Sequence, residues 1–142
     1  MKSRRHSGVI VKCNNKVLLC KRNNFGSLPG EWSIPGGGIE KNETPIDCAF
    51  REFYEETDLK LETPLTLCGI IKRYTRDGKT VKGYMYTFFT EVEKEIHPDL
   101  FNAKDGQEHT QCGYYTYENL PTPIGEQTKK LIKSVLFEKN ID

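Results

Sequence analysis

With 142 residues, 36% of them apolar and 29% charged, the chain has the size and balance of one folded domain, not of a disordered segment or of two cores. A formal net charge of +1 leaves no global positive field for duplex nucleic acid, so no such partner is expected, while a local charged site stays open. No stretch reads as a signal peptide or a membrane span, which predicts a cytoplasmic protein with no membrane partner.

Val9 to Cys13 and Lys16 to Arg22 are apolar, β-branched-rich runs around Asn14-Asn15, so they predict a hairpin. In that register Cys13 faces Lys16 and Cys20 faces Val9. The five cysteines (Cys13, Cys20, Cys48, Cys68, Cys112) are odd in number and contain no C-x-x-C pair. That speaks against a disulfide framework or a thiolate zinc site and for small unpaired thiols. The basic start, Met1 to His6, leads into the first strand, and Asn23 to Gly30 has loop composition. Trp32-Ser33-Ile34 predicts a short extended piece, stopped by Pro35 and the triplet Gly36-Gly37-Gly38. Such a triplet permits positive φ or close approach of backbone to another group, and by itself is most often a tight turn.

Thr44-Pro45 is a helix start: Thr44 can cap, Pro45 suits the first helical position and Asp47 completes an approximate capping box. Ile46, Ala49, Phe50 and Phe53 follow at helical spacing as one apolar stripe, and the helix should end near Thr57-Asp58. Leu65 to Arg76 and Lys79 to Val92 flank Asp77-Gly78, a strong hairpin signal. Glu93 to Gln111 is polar and predicts a mobile loop. Tyr114 to Tyr117 predicts a last short strand. Ile124, Thr128, Leu131, Ile132, Val135 and Leu136 then mark an amphipathic C-terminal helix, with Lys129, Lys130 and Lys133 on its solvated side. The pattern is α+β, with a mixed sheet and two main helices, in a single domain over residues 1–142.

Glu52, Glu55 and Glu56 stand at i, i+3 and i+4, so their carboxylates share one helix face. Like charges this close repel, and the C-terminal end of a helix disfavours them further. A divalent cation would turn both penalties into favourable terms, and an all-oxygen donor set suits Mg²⁺ or Mn²⁺. A solvated acidic surface is the other reading of the same residues.

The segment from Gly37 to Leu59 resembles the Nudix box, G-x5-E-x7-R-E-U-x-E-E-x-G-U with U a bulky apolar residue. It reads Gly37, Glu43, Arg51-Glu52-Phe53, Glu55-Glu56, Asp58 and Leu59, matching eight of nine specified positions over 23 residues. Trp32 to Gly38 is similar to the strand that enters the box. The departure is Asp58 in the place of a glycine, which bears on the left-handed residue that ends the helix and not on metal ligation.

The resemblance implies a Nudix-type α/β/α sandwich and a MutT-like hydrolase that attacks a phosphoanhydride with water. Glu52, Glu55 and Glu56 would ligate Mg²⁺ or Mn²⁺, with a carbonyl of Gly36 or Gly37 adding a ligand. Arg51 would orient a catalytic carboxylate and Glu43 would brace the loop, although both also fit a purely structural ion pair. Gly37 and Gly38 would lie against substrate. Glu108 is the best loop candidate for the general base, with Glu93, Glu95 and Asp105 competing. Tyr74, Tyr84, Tyr86 and Phe88 would offer a stacking wall, or simply serve the core. Tyr74 lies near the place where dinucleoside polyphosphate hydrolases carry a tyrosine. Arg4, Arg5, Arg22 and Arg73 are candidate phosphate contacts.

The implied substrate is a nucleoside diphosphate linked to another group, foremost a (d)NTP or similar small nucleotide. Dinucleoside polyphosphates, ADP-ribose and nucleotide sugars are the alternatives, and a non-catalytic nucleotide sensor is the competing class. Homodimers are frequent in this family.

Overall fold

The computed structural model describes residues 4–25 and 28–137; Met1–Ser3, Gly26–Ser27 and residues 138–142, which the single-domain reading and the first loop include, lie outside the described residues. The strands are β1 (Arg4–Cys13), β2 (Lys16–Arg22), β3 (Trp32–Ser33), β4 (Gly36–Gly38), β5 (Thr66–Tyr74), β6 (Val81–Glu91) and β7 (His109–Tyr115), with helices α1 (Pro45–Thr57) and α2 (Glu126–Phe137). One mixed sheet runs β3-β2-β1-β6-β5, with β4 also on β1 and β7 also on β2. The β1–β6 pair is parallel, from Arg4↔Gly83 to Lys12↔Glu91, and the remaining pairs are antiparallel.

Strand alternation explains why β1 and β2 read as continuous apolar runs. Val9, Val11 and Leu18 pack with Ala49 and Phe53 of α1, whereas Ile10, Val17 and Leu19 pack with Ile132 of α2. A strand covered on both faces has no polar side to show. The sheet is thus the filling of an α/β/α sandwich.

Several expectations change. β1 starts at Arg4 rather than Val9, because its basic N-terminal half pairs with β6 and β4. Lys12↔Val17 and Cys13↔Lys16 hold the Asn14-Asn15 turn as expected. Cys20 does not face Val9: it is flanked by Ser33 of β3 and Cys112 of β7, since β2 diverges from β1 and other strands take both its edges. Cys20 and Cys112, set side by side, form a disulfide, which corrects the expectation of unpaired thiols, while Cys13, Cys48 and Cys68 are free.

Gly36-Gly37-Gly38 is not a turn but β4, with Gly36, Gly37 and Gly38 opposite Gly8, Ser7 and His6, and none of the three has positive φ. Close approach is the purpose of Gly36 and Gly37. The Asp77-Gly78 hairpin opens into a wider loop, with Tyr74 paired to Val81, Gly78 at φ 75° and the Gly78 N–H donating to the Thr75 carbonyl. Glu93 to Gln111 is tied down, not mobile: the Asp99 and Asp105 N–H groups donate to the carbonyls of Thr57 and Glu55, and a 3₁₀ turn, Gly106–Glu108, leads into β7. β7 therefore begins five residues before the predicted strand, and Tyr117 belongs to a second 3₁₀ turn.

In α1, Thr44 Oγ1 accepts the Asp47 N–H and Pro45 opens the helix, as predicted. Ala49 and Phe53 are buried, but Ile46, at the first turn, is exposed. Asp58 ends the helix in the left-handed region at φ 63°. Glycine adopts that conformation freely and adds no negative charge at a helix C-terminus. Asp58→Gly is accordingly expected to raise stability by about 0.5–1 kcal/mol, measured by denaturant unfolding. In α2, Ile132 is fully buried, and Lys129 and Lys133 stand over the Tyr117 ring. Among the described residues no helix is long and apolar enough to cross a membrane.

Candidate active site

The acidic face of α1 does not look into solvent. The Glu52, Glu55 and Glu56 side chains are 14%, 11% and 3% exposed. They lie between β4 and the segment leading into β7. Gly36 donates its N–H to Glu56 Oε2 at 3.1 Å, and a Cβ on Gly37 would stand 2.3 Å from the Glu52 carboxylate. Only glycine at 37 leaves room for Glu52 against the strand. What the structure assigns to Gly36 is thus an N–H contact to Glu56.

Arg51 ties the face together. Its Nε and Nη2 donate to the two oxygens of Glu43 at 2.7 and 2.9 Å, Nη1 donates to Glu52 and Glu55 at 2.9 and 3.0 Å, and Nη2 also reaches the Gly38 carbonyl at 2.9 Å. One guanidinium therefore links the box loop, two carboxylates and β4. Lys104 adds a contact to Glu55 at 3.7 Å.

That guanidinium holds the Glu43 carboxyl down at about 2. A carboxyl whose folded pKa is depressed contributes stability fully above its ordinary value near 4.5, and loses it as pH falls through about 2. Glu43→Gln should therefore lower the thermal midpoint by a constant amount at pH 6–8. The gap to wild type should close as pH approaches 2, as melts across pH would read.

Glu56 is held well above the usual carboxylate range by burial, then by the negative charges of Glu108 and Glu52. Burial also raises Glu52. Glu108, at the end of the 3₁₀ turn, is raised by desolvation and by Asp105 and Glu52. The sequence candidate 52 residues beyond Glu56 is thus brought within electrostatic reach of the helix face. Of the competing loop candidates, Asp105 acts on Glu108.

A cleft of about 390 Å³ adjoins this face at Gly36. Arg22, Lys72, Arg73 and Lys82 line it together with Tyr74, Ile34 and Met85. Arg22 stands between the two regions, its charge acting on Glu108 as well as on Glu31 in the cleft. The predicted stacking wall separates: Tyr74 lines the cleft, Phe88 is core, and Tyr86 packs on the α1 side of the sheet, beneath Arg5. Alternation along β6 puts Tyr84, Tyr86 and Phe88 on one face and Met85 on the other.

His109 was not foreseen. It is buried, and its Nε2 lies 2.5 Å from Glu56 Oε1. No spacing rule links two residues 53 positions apart, so no local signal could have found it.

Among the described residues, no three acidic, histidine or cysteine side chains are already closed around a metal position, and Arg51 bridges Glu52 and Glu55. The donors nonetheless fit a hard divalent cation. They are carboxylate oxygens, withdrawn from water, with Glu56 raised so that a cation would compete with a proton for it.

Comparison with known proteins decides the family. A family model described as NUDIX domain matches residues 2–135. The chain belongs to the Nudix family. This Nudix chain is 38% identical over 127 residues to the nucleoside triphosphatase NudI of Enterobacter sp. (strain 638), spanning 84% of the chain and 87% of that protein. It is 30% identical over 113 residues to an RNA pyrophosphohydrolase of Pelagibacter ubique, spanning 68% and 70% of the two. A crystal structure of a MutT NUDIX hydrolase from Burkholderia pseudomallei shares the fold, with TM-score 0.80 at 21% identity over 95% of this chain and 99% of that one. The Nudix family is one of hydrolases acting on pyrophosphate bonds.

Proposed function

We propose that this Nudix chain is a divalent-metal-dependent pyrophosphohydrolase of the cytoplasm that cleaves a (d)NTP or a similar small nucleotide. The observation that carries this reading is the meeting, at Gly36, of a largely buried three-carboxylate face and a cleft lined by four cationic side chains against two carboxylates, Glu31 and Glu126. An anionic phosphate chain can lie across both, which a solvated acidic surface would not require. The likeness to a nucleoside triphosphatase over most of both chains supports a triphosphate over ADP-ribose or a nucleotide sugar.

Glu52, Glu55 and Glu56 would hold Mg²⁺ or Mn²⁺, with the Gly36 carbonyl as a further ligand. Bound there, the ion supplies neutralisation of the phosphate oxygens and a lowered pKa for the attacking water. Arg51 holds Glu52 and Glu55 in place while Glu43 holds Arg51. Glu108, raised by its surroundings, takes the proton from water as general base. Arg22, Lys72, Arg73 and Lys82 bind the phosphates beyond the scissile bond and Tyr74 lies against the nucleoside, whereas Gly37 and Gly38, expected against substrate, face Glu52 and Arg51 instead.

The test is a panel of dNTPs, NTPs, ADP-ribose and dinucleoside polyphosphates with Mg²⁺ or Mn²⁺, read as phosphate release after added pyrophosphatase or phosphatase. Turnover of triphosphates at the highest kcat/KM is expected. Turnover of none, with nucleotide binding retained, would make the chain a sensor instead.

A further inference from the structure

Against the acidic face of α1 sits a buried polar side chain to which the proposed reaction gives no task. His109 opens β7, with its side chain 1% exposed, and its Nε2 meets Glu56 Oε1 at 2.5 Å. The other oxygen of the same carboxylate, Oε2, accepts the Gly36 N–H at 3.1 Å. Glu56 is therefore tied at both oxygens, one to β4 and one to β7. A glutamate with three side-chain torsions has no such fixity by itself.

The hydrogen bond between His109 Nε2 and Glu56 Oε1 lies wholly inside the protein, where water does not compete for either group.

We propose that His109 is a positioning residue: the hydrogen bond between its Nε2 and Glu56 Oε1 fixes the Glu56 side chain in the orientation that faces Glu52 and receives the divalent cation. The proposal rests on the reading of Glu52, Glu55 and Glu56 as the metal face. Groups that hold metal-ligating side chains in place commonly change metal affinity by 10- to 100-fold when lost.

The experiment compares wild type, His109→Phe and His109→Gln as full chains. Phenylalanine keeps a buried ring without a hydrogen-bonding nitrogen, and glutamine restores an amide that can donate or accept at similar reach. Three quantities are read: Mn²⁺ binding by calorimetry without nucleotide, kcat and KM with the preferred nucleotide, and the imidazole N–H resonance of the metal-free protein. His109→Phe is expected to weaken Mn²⁺ at least ~10-fold and lower kcat by a similar factor, with nucleotide KM within about threefold. His109→Gln is expected to recover most of both. The N–H resonance of wild type should shift in Glu56→Gln. Should His109→Phe fail to fold, His109→Asn, too short to reach Glu56, replaces it with the same expectation.

His109→Phe matching wild type in Mn²⁺ affinity, or Gln no better than Phe, overturns the positioning role alone. Wild type that binds no Mn²⁺ overturns the metal reading, and with it the task given to His109, even if the N–H resonance still reports the bond to Glu56.

Discussion

Glu56→Gln is expected to lower kcat by at least ~100-fold while the protein melts within a few degrees of wild type. Glutamine has the volume and helix propensity of glutamate, so α1 and the packing of its Phe53 with Val11 are undisturbed. It is also neutral, which removes the charge that burial and the neighbouring Glu52 and Glu108 oppose. Stability should therefore hold or rise, and the loss should appear in chemistry. Measuring kcat at saturating Mg²⁺ beside a thermal melt separates the two. A variant within threefold of wild type would remove Glu56 from the metal-binding set.

The second large effect is expected from a pair of glycines that differ in what their side chains would strike. A Cβ on Gly37 would lie 2.3 Å from the Glu52 carboxylate, the far end of a flexible side chain. A Cβ on Gly36 would lie 2.4 Å from the Ser7 carbonyl oxygen and 2.8 Å from Gly8 Cα, which are backbone. Glu52 can swing away, whereas β1 cannot. Gly37→Ala is thus expected to keep its fold and lose activity by ~10- to 100-fold through a displaced Glu52. Gly36→Ala is expected to lose about 1–3 kcal/mol of stability as β4 is forced off β1, together with activity. Denaturant unfolding and steady-state kinetics on both variants provide the comparison. Equal stability losses would mean that Gly37 is held by the strand pairing and not by Glu52.

Most of what surrounds α1 was legible locally. Thr44, Pro45 and Asp47 define a helix start by capping chemistry that acts within one turn, and Asp58 ends the helix in the left-handed conformation expected of that position. The 3.6-residue period alone puts Glu52, Glu55 and Glu56 on one face. The apolar runs of β1 and β2 announce strands, because a sheet covered on both faces demands them.

What the chain could not announce are features created by segments distant in sequence. Gly36-Gly37-Gly38 reads as a turn because glycine most often serves turns. Its use as a strand follows only when Ser7 and Glu52 arrive against it. Cys20 and Cys112 carry no pairing signal until β7 lies on β2, 92 positions away. The polar run from Glu93 to Gln111 looks mobile until its N–H groups find the carbonyls of Glu55 and Thr57.

The same division runs through the candidate site. Residue type and spacing along one helix determined by themselves that three carboxylates gather, since helical geometry is local. Tertiary structure alone decided that these carboxylates are buried, that Arg51 spans two of them, and that His109 and Gly36 grip Glu56 from opposite strands. Hydrogen bonds and desolvation depend on which distant groups share a space, and that information exists only once the sheet has closed around the helix.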